Sequence, residues 1–140
     1  MANYGKKYQD SVKLLNYKIA EYAYAVCKDR PSFHITLICD VSPFCDCHSE
    51  NDAPILPDIG MLASFDPLAL DQACVDLCLK EEPLKRSQLY EAEHAEDFVE
   101  QGNHFNNVHP LSDWKSCFEQ AEKLGVGSRE YELINVFTAK

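Results

Sequence analysis

No stretch of this chain is apolar for long enough to cross a bilayer. Basic charge is scarce: 13 Lys and Arg stand against 23 Asp and Glu, a formal net charge of -10. Such a surface repels phosphate backbones, which argues against nucleic acid as a partner, and favours cations and basic protein faces. The sequence also lacks a Gly-rich phosphate loop, a nucleophile elbow and a paired-histidine metal helix, so the most legible nucleotide-binding, hydrolase and metalloprotease signatures are missing. It holds no internal repeat and no low-complexity tract. Met1 to Asp10 is polar and no secretory apolar region follows. Seven cysteines, an odd number, do not pair off as a secreted disulfide scaffold would. The expectation is a cytoplasmic protein with reduced thiols.

What is present concentrates in one loop. Cys45-Asp46-Cys47-His48 is followed by Pro57-Asp58-Ile59-Gly60 and by Ser64-Phe65-Asp66-Pro67-Leu68-Ala69-Leu70-Asp71. Two cysteines one residue apart close too tight a ring for ordinary disulfide geometry. They can direct two thiolates at one soft metal. Cys45 and Cys47 are therefore the candidate metal or cluster ligands, with Cys39 or His48 as a further donor. No second cysteine pair completes a four-thiolate set. Asp46 lies between the two thiols. Asp58, between a proline and a strand, has no evident structural duty and is the carboxylate that best suits a site. Asp66 reads as a helix N-cap before Pro67, and Asp71 as a carboxylate in the first turn of that helix. Cys27, Cys74, Cys78 and Cys117 fall on apolar helix faces and read as core. His104 and His109 lie in a polar loop and read as solvated.

The length of 140 residues, with 46% hydrophobic and 26% charged, suits one domain with a real core. Residues 1–9 read as a flexible N-terminus and 10–140 as a single α/β domain. From Asp10 to Lys28, Val12, Leu15, Ile19, Tyr22 and Val26 recur at three-and-four spacing, the buried stripe of an amphipathic helix. Phe33, Ile35, Leu37 and Cys39 alternate along a strand whose other residues are also partly apolar, which suggests cover on both faces. Residues 40–57 form a long loop, of the kind that is usually functional or disordered. Ile59–Ala63 reads as a short buried strand, and a helix follows from Pro67. A second helix is expected over 84–100. Residues 102–110 read as a loop, and a further helix is expected, capped by Ser112 and ending at Gly125. Tyr131 to Phe137 reads as a third strand. The fold expected is α/β: a small three-stranded sheet covered by about four helices, an incomplete module with open sheet edges.

The same motifs carry a resemblance. Asp40-Val41-Ser42-Pro43, Cys45-Asp46-Cys47, Pro57-Asp58-Ile59-Gly60 and Asp66-Pro67-Leu68-Ala69-Leu70-Asp71-Gln72-Ala73 resemble a prokaryotic family of unknown function, usually described as iron–sulfur or ferredoxin-associated proteins. Ala20-Glu21-Tyr22-Ala23 and the stretch from Leu124 to Ile134 also fit, so the resemblance covers most of the chain. It is to the C-terminal part of the family pattern. Family members are typically longer, and many carry a ferredoxin-type cysteine cluster upstream that this sequence lacks. The resemblance implies a metal-binding or iron–sulfur-associated redox module, with a cluster, zinc or iron as cofactor. The alternative is a non-catalytic structural domain that docks on a ferredoxin-like domain or protein, or on a missing N-terminal region. An enzyme using the cysteine–aspartate loop on a small substrate is a third reading. The open edges suggest a homodimer through a sheet edge or helix face, and no membrane partner is expected.

Overall fold

The structure, a computed structural model, describes residues 2–45 and 47–136. Five helices and two strands follow one another: α1 Ala2–Cys27, β1 His34–Ile38, β2 Gly60–Ser64, α2 Pro67–Cys78, α3 Gln88–Glu93, α4 His104–Val108 and α5 Trp114–Leu124. None of these helices is long and apolar enough to cross a membrane.

The sheet is a two-stranded antiparallel pair, with His34 opposite Ser64 and Ile38 opposite Gly60. The expected third strand is absent among the described residues. Residues 131–136 run as irregular chain, and Phe137 lies outside them. A strand needs a ladder partner. This segment is instead held beside α2, where the Tyr131 hydroxyl donates to Asp76 Oδ2 at 2.8 Å.

α2 covers one face of the sheet and touches α5 on its other side, while α1 packs along α5. Two cores result. One gathers Ile38, Ile55, Leu56, Cys78 and Leu89 between the sheet, α2 and the long loop. The other joins Ala20 of α1 and Leu68 of α2 to Phe118 and Ala121 of α5. The strand alternation is real, but its two sides are exchanged relative to expectation. His34, Thr36 and Ile38 turn inward, whereas Phe33, Ile35, Leu37, Met61 and Phe65 are 55–79% exposed. Nothing covers that outer face among the described residues, so the strands are not sandwiched on both sides.

α1 is exchanged in the same way. Its spacing is helical and its helix begins at Ala2, ahead of the expected Asp10. Yet Leu15, Ile19, Tyr22 and Val26 are 50–74% exposed, and the residue sealed against α5 is Ala20, at 1%. A small side chain lets two helix backbones approach closely, which a stripe of Leu, Ile and Tyr would prevent. Asn16 adds a directional bond, its Nδ2 donating to the Asp113 carbonyl at the start of α5.

The expected helix over 84–100 is reduced to α3. Arg86 adopts a left-handed φ of 69°, and Ser87 caps the helix by accepting from Tyr90 N–H. The loop expected over 102–110 contains α4, capped by Asn103. α5 is capped by Asp113 rather than started by Ser112, and Gly125, at φ 77°, closes it as expected.

The two sides of α1 make a direct test. Ala20→Leu should destabilise the fold by about 1–3 kcal/mol through overpacking. Leu15→Ala should stay within about 0.5 kcal/mol at low protein concentration. Urea melts of both variants beside the parent measure this, and a larger loss for Leu15→Ala would restore the stripe as the buried face.

Candidate functional site

The cysteine loop is anchored at its base and exposed at its tip. Pro43 is buried, and its carbonyl accepts a hydrogen bond from His109 Nε2, which fixes that ring nitrogen as the protonated one. Asn51 closes the loop from the other side. Its Oδ1 accepts from Phe44 N–H at 3.1 Å, and its Nδ2 donates to Ser42 Oγ at 3.0 Å. The Phe44 ring lies 4.7 Å from His109 and 5.4 Å from His48, centroid to centroid. Deeper in, Ile55 and Leu56 are buried in the first core, with Ile55 N–H bonded to Val41 O. The loop thus stands on a rigid foot rather than trailing in solvent.

Cys45 and Cys47 are both exposed at the tip, where a turn is closed by His48 N–H donating to Cys45 O at 2.9 Å. Asp46, between them, lies outside the described residues. His48 is exposed and directs Nδ1 toward Glu50 Oε1 at 3.1 Å, which holds the Glu50 carboxyl below its usual range. Cys39 is half-buried just past β1. Cys45 also borders a cleft of about 410 Å³, walled by Val41, Phe44, Ile55, Phe105 and Trp114.

The aspartates separate into distinct roles. Asp58 Oδ1 accepts from Asp40 N–H at 3.1 Å, pinning the two ends of the loop together. Asp40 sits at a left-handed φ of 50°, so this bond steadies a conformation a non-glycine residue rarely adopts. Asp66 is the N-cap of α2: Oδ1 accepts from Leu68 and Ala69 N–H, while Oδ2 accepts from Ser128 N–H at 2.8 Å. One carboxylate therefore starts a helix and holds a segment 62 positions away. Gly127 permits this, because a Cβ there would overlap the Asp66 carboxylate. Asp71 lies beyond the first turn of α2, contrary to expectation, so it owes little to the helix dipole. Desolvation by the surrounding protein pushes its carboxyl up, and the nearby His34 opposes that shift.

Sequence spacing gives no sign of His34, on the covered side of the sheet, or of His109 as the clasp of the loop. His104 and His109 are half-buried rather than solvated. His104 Nδ1 meets Glu93 Oε1 at 2.9 Å and its Nε2 meets the Glu81 carbonyl at 3.1 Å, tying α4 to α3.

The donors can be tested against a metal or cluster. Among the described residues, no three His, Cys, Asp or Glu are gathered as a ligand set. Structural zinc and iron–sulfur clusters take four protein ligands. The loop tip offers two thiols, Asp58 is engaged with the backbone, and His48 leans toward Glu50. These residues fit half of such a site and do not fit a whole one. Cys74, Cys78 and Cys117 are packing groups. Burial, with Asp71 and Cys78 adding, pushes Cys74 up to about 11, and burial also raises Cys78 and Cys117.

Two outcomes follow. Asp66→Ala should cost about 0.5–2 kcal/mol as a lost cap, and Gly127→Ala about 1–3 kcal/mol by displacing the same carboxylate. Denaturant melts check both, and an unchanged Gly127→Ala would show that the long-range clamp is not formed. At pH 8, Cys74 should carry roughly a hundredfold less thiolate than a thiol of ordinary pKa 9.0. Its alkylation, followed by mass spectrometry, should be correspondingly slow and should accelerate only as the pH nears 11.

No curated protein and no solved structure matches this chain. A family does. The family described as Domain of unknown function (DUF362) matches residues 1–76, a span running from α1 through the cysteine loop and β2 into α2. That span holds Asp40, Asp58, Asp66, Asp71 and the loop cysteines, and more than half of the 140 residues, so the chain belongs to the DUF362 family.

Proposed function

We propose that the Cys45-Asp46-Cys47 loop is a metal-contacting or iron–sulfur-contacting element that supplies two thiolates to a ligand set completed by a partner. The carrying observation is the pair of exposed thiols, one residue apart, on a loop clamped at its foot by His109, Asn51 and Asp58. A rigid foot with an exposed tip suits a shared site, because the donors are positioned before the partner arrives. Cys45 and Cys47 would hold the metal, and Cys39 or His48 is within the same loop region as a further donor. Asp46 adds negative charge between the thiols, and the acidic chain as a whole favours a cation. A cluster at this position would supply one-electron transfer and a zinc ion would supply a structural cross-link. A ferredoxin-like domain or protein is the partner class this reading calls for.

A second reading is a non-catalytic docking domain. The outer sheet face favours it: Phe33, Ile35, Leu37, Met61 and Phe65 form a row without a charged side chain. In that case the loop would orient the partner and transfer nothing.

Cobalt(II) separates the two, because thiolate ligation gives intense near-ultraviolet charge-transfer absorption. The parent chain should develop those bands on titration. The variant carrying both Cys45→Ser and Cys47→Ser should lose them with its helical circular dichroism intact. Equal spectra from parent and variant would refute the metal reading and leave the docking one.

A further inference from the structure

The stripe on α1 is neither core nor part of the loop, and it is more regular than an incidental apolar face. Tyr8, Val12, Leu15, Ile19, Tyr22 and Val26 follow one another at spacings of four, three, four, three and four. That is the seam of a coiled coil, with β-branched Val12, Ile19 and Val26 on one set of heptad positions and Tyr8, Leu15 and Tyr22 on the other. Five of the six are at least 50% exposed, and no charged residue interrupts them. The helix is already ordered by its packing on α5, so pairing would carry little further ordering cost.

We infer that this seam pairs with the same seam of a second copy, antiparallel, about a two-fold axis at Tyr17. The pattern is self-complementary only in that sense. Turned end for end, it sets Tyr8 against Val26, Val12 against Tyr22 and Leu15 against Ile19. Each large ring meets a compact β-branched side chain, and the helix dipoles oppose. A parallel pair would stack Tyr on Tyr at two levels. Charge agrees. Residues 8–27 contain Lys13, Lys18, Asp10 and Glu21, two of each sign and so no net charge, in a chain of net -10. Closing the seam would bury about 600 Å² per copy, about 1,200 Å² in all, which reaches the lower bound of specific interfaces.

Light scattering during size exclusion, run on the parent from about 1 to 100 μM, should show monomer giving way to dimer. Leu15→Glu and Ile19→Lys each place a charge in the seam and should leave monomers with unchanged circular dichroism. Mixed in equal amounts they should recover a 1:1 dimer, because antiparallel pairing sets the new carboxylate of one against the new ammonium of the other. A parallel pair would leave both charges facing apolar groups. Leu37→Glu, on the uncovered sheet face, should leave the parent dimer intact. A parent that is monomeric throughout, or a dimer lost in Leu37→Glu but kept in Leu15→Glu, overturns the inference. A mixture that stays monomeric overturns the antiparallel register.

Discussion

Helix α2 is engaged on two sides, and the rest of the structure hangs on that double contact. One side meets the strands and the other meets α5, so each of the two cores uses a different row of its residues: Cys74, Leu77 and Cys78 toward the sheet, Leu68 and Val75 toward α5. Such a helix has to begin at one defined residue, because a shift by one position would rotate both rows out of register. Asp66 sets that beginning. Its carboxylate satisfies two of the helix's opening N–H groups and reaches Ser128 as well, so the start of α2 and the segment after α5 are fixed by one side chain.

The cysteine loop inherits its rigidity from this frame through polar contacts between distant parts of the chain. His109 follows α4, Pro43 precedes the thiols, and the bond between them joins segments 66 positions apart. Asp58 performs the same service across the mouth of the loop. The aspartates are therefore mainly builders of the platform, while the thiols stand at its tip.

Two apolar surfaces remain uncovered among the described residues, the outer face of the sheet and the outer seam of α1. α1 touches α5 rather than the strands, so the two surfaces belong to different parts of the packing. An isolated two-stranded sheet gains little from its own ladder. Its inner face is secured by α2, and its outer face is free to recognise something else.

Local signals were legible from the amino-acid sequence by itself. Asp66-Pro67 marked a helix start and Gly125 a helix end, because caps are decided by neighbouring residues and by backbone conformations few residues adopt. The helical spacing of α1 and the alternation of β1 were legible because both are set by residues close together in the chain. Only the tertiary structure decided which side of each element faces inward. Periodicity states that a helix or strand has two different sides. It does not state what lies opposite them. In α1 the closest packing demanded the smallest side chain, so Ala20 went in and Ile19 stayed out. In β1, α2 lies on the side of His34, Thr36 and Ile38, which left the more apolar row outside. The length of α3, the irregular course of residues 131–136 and the clasp of His109 on Pro43 also depend on partners far away in the chain. Spacing within a short window carries no information about them.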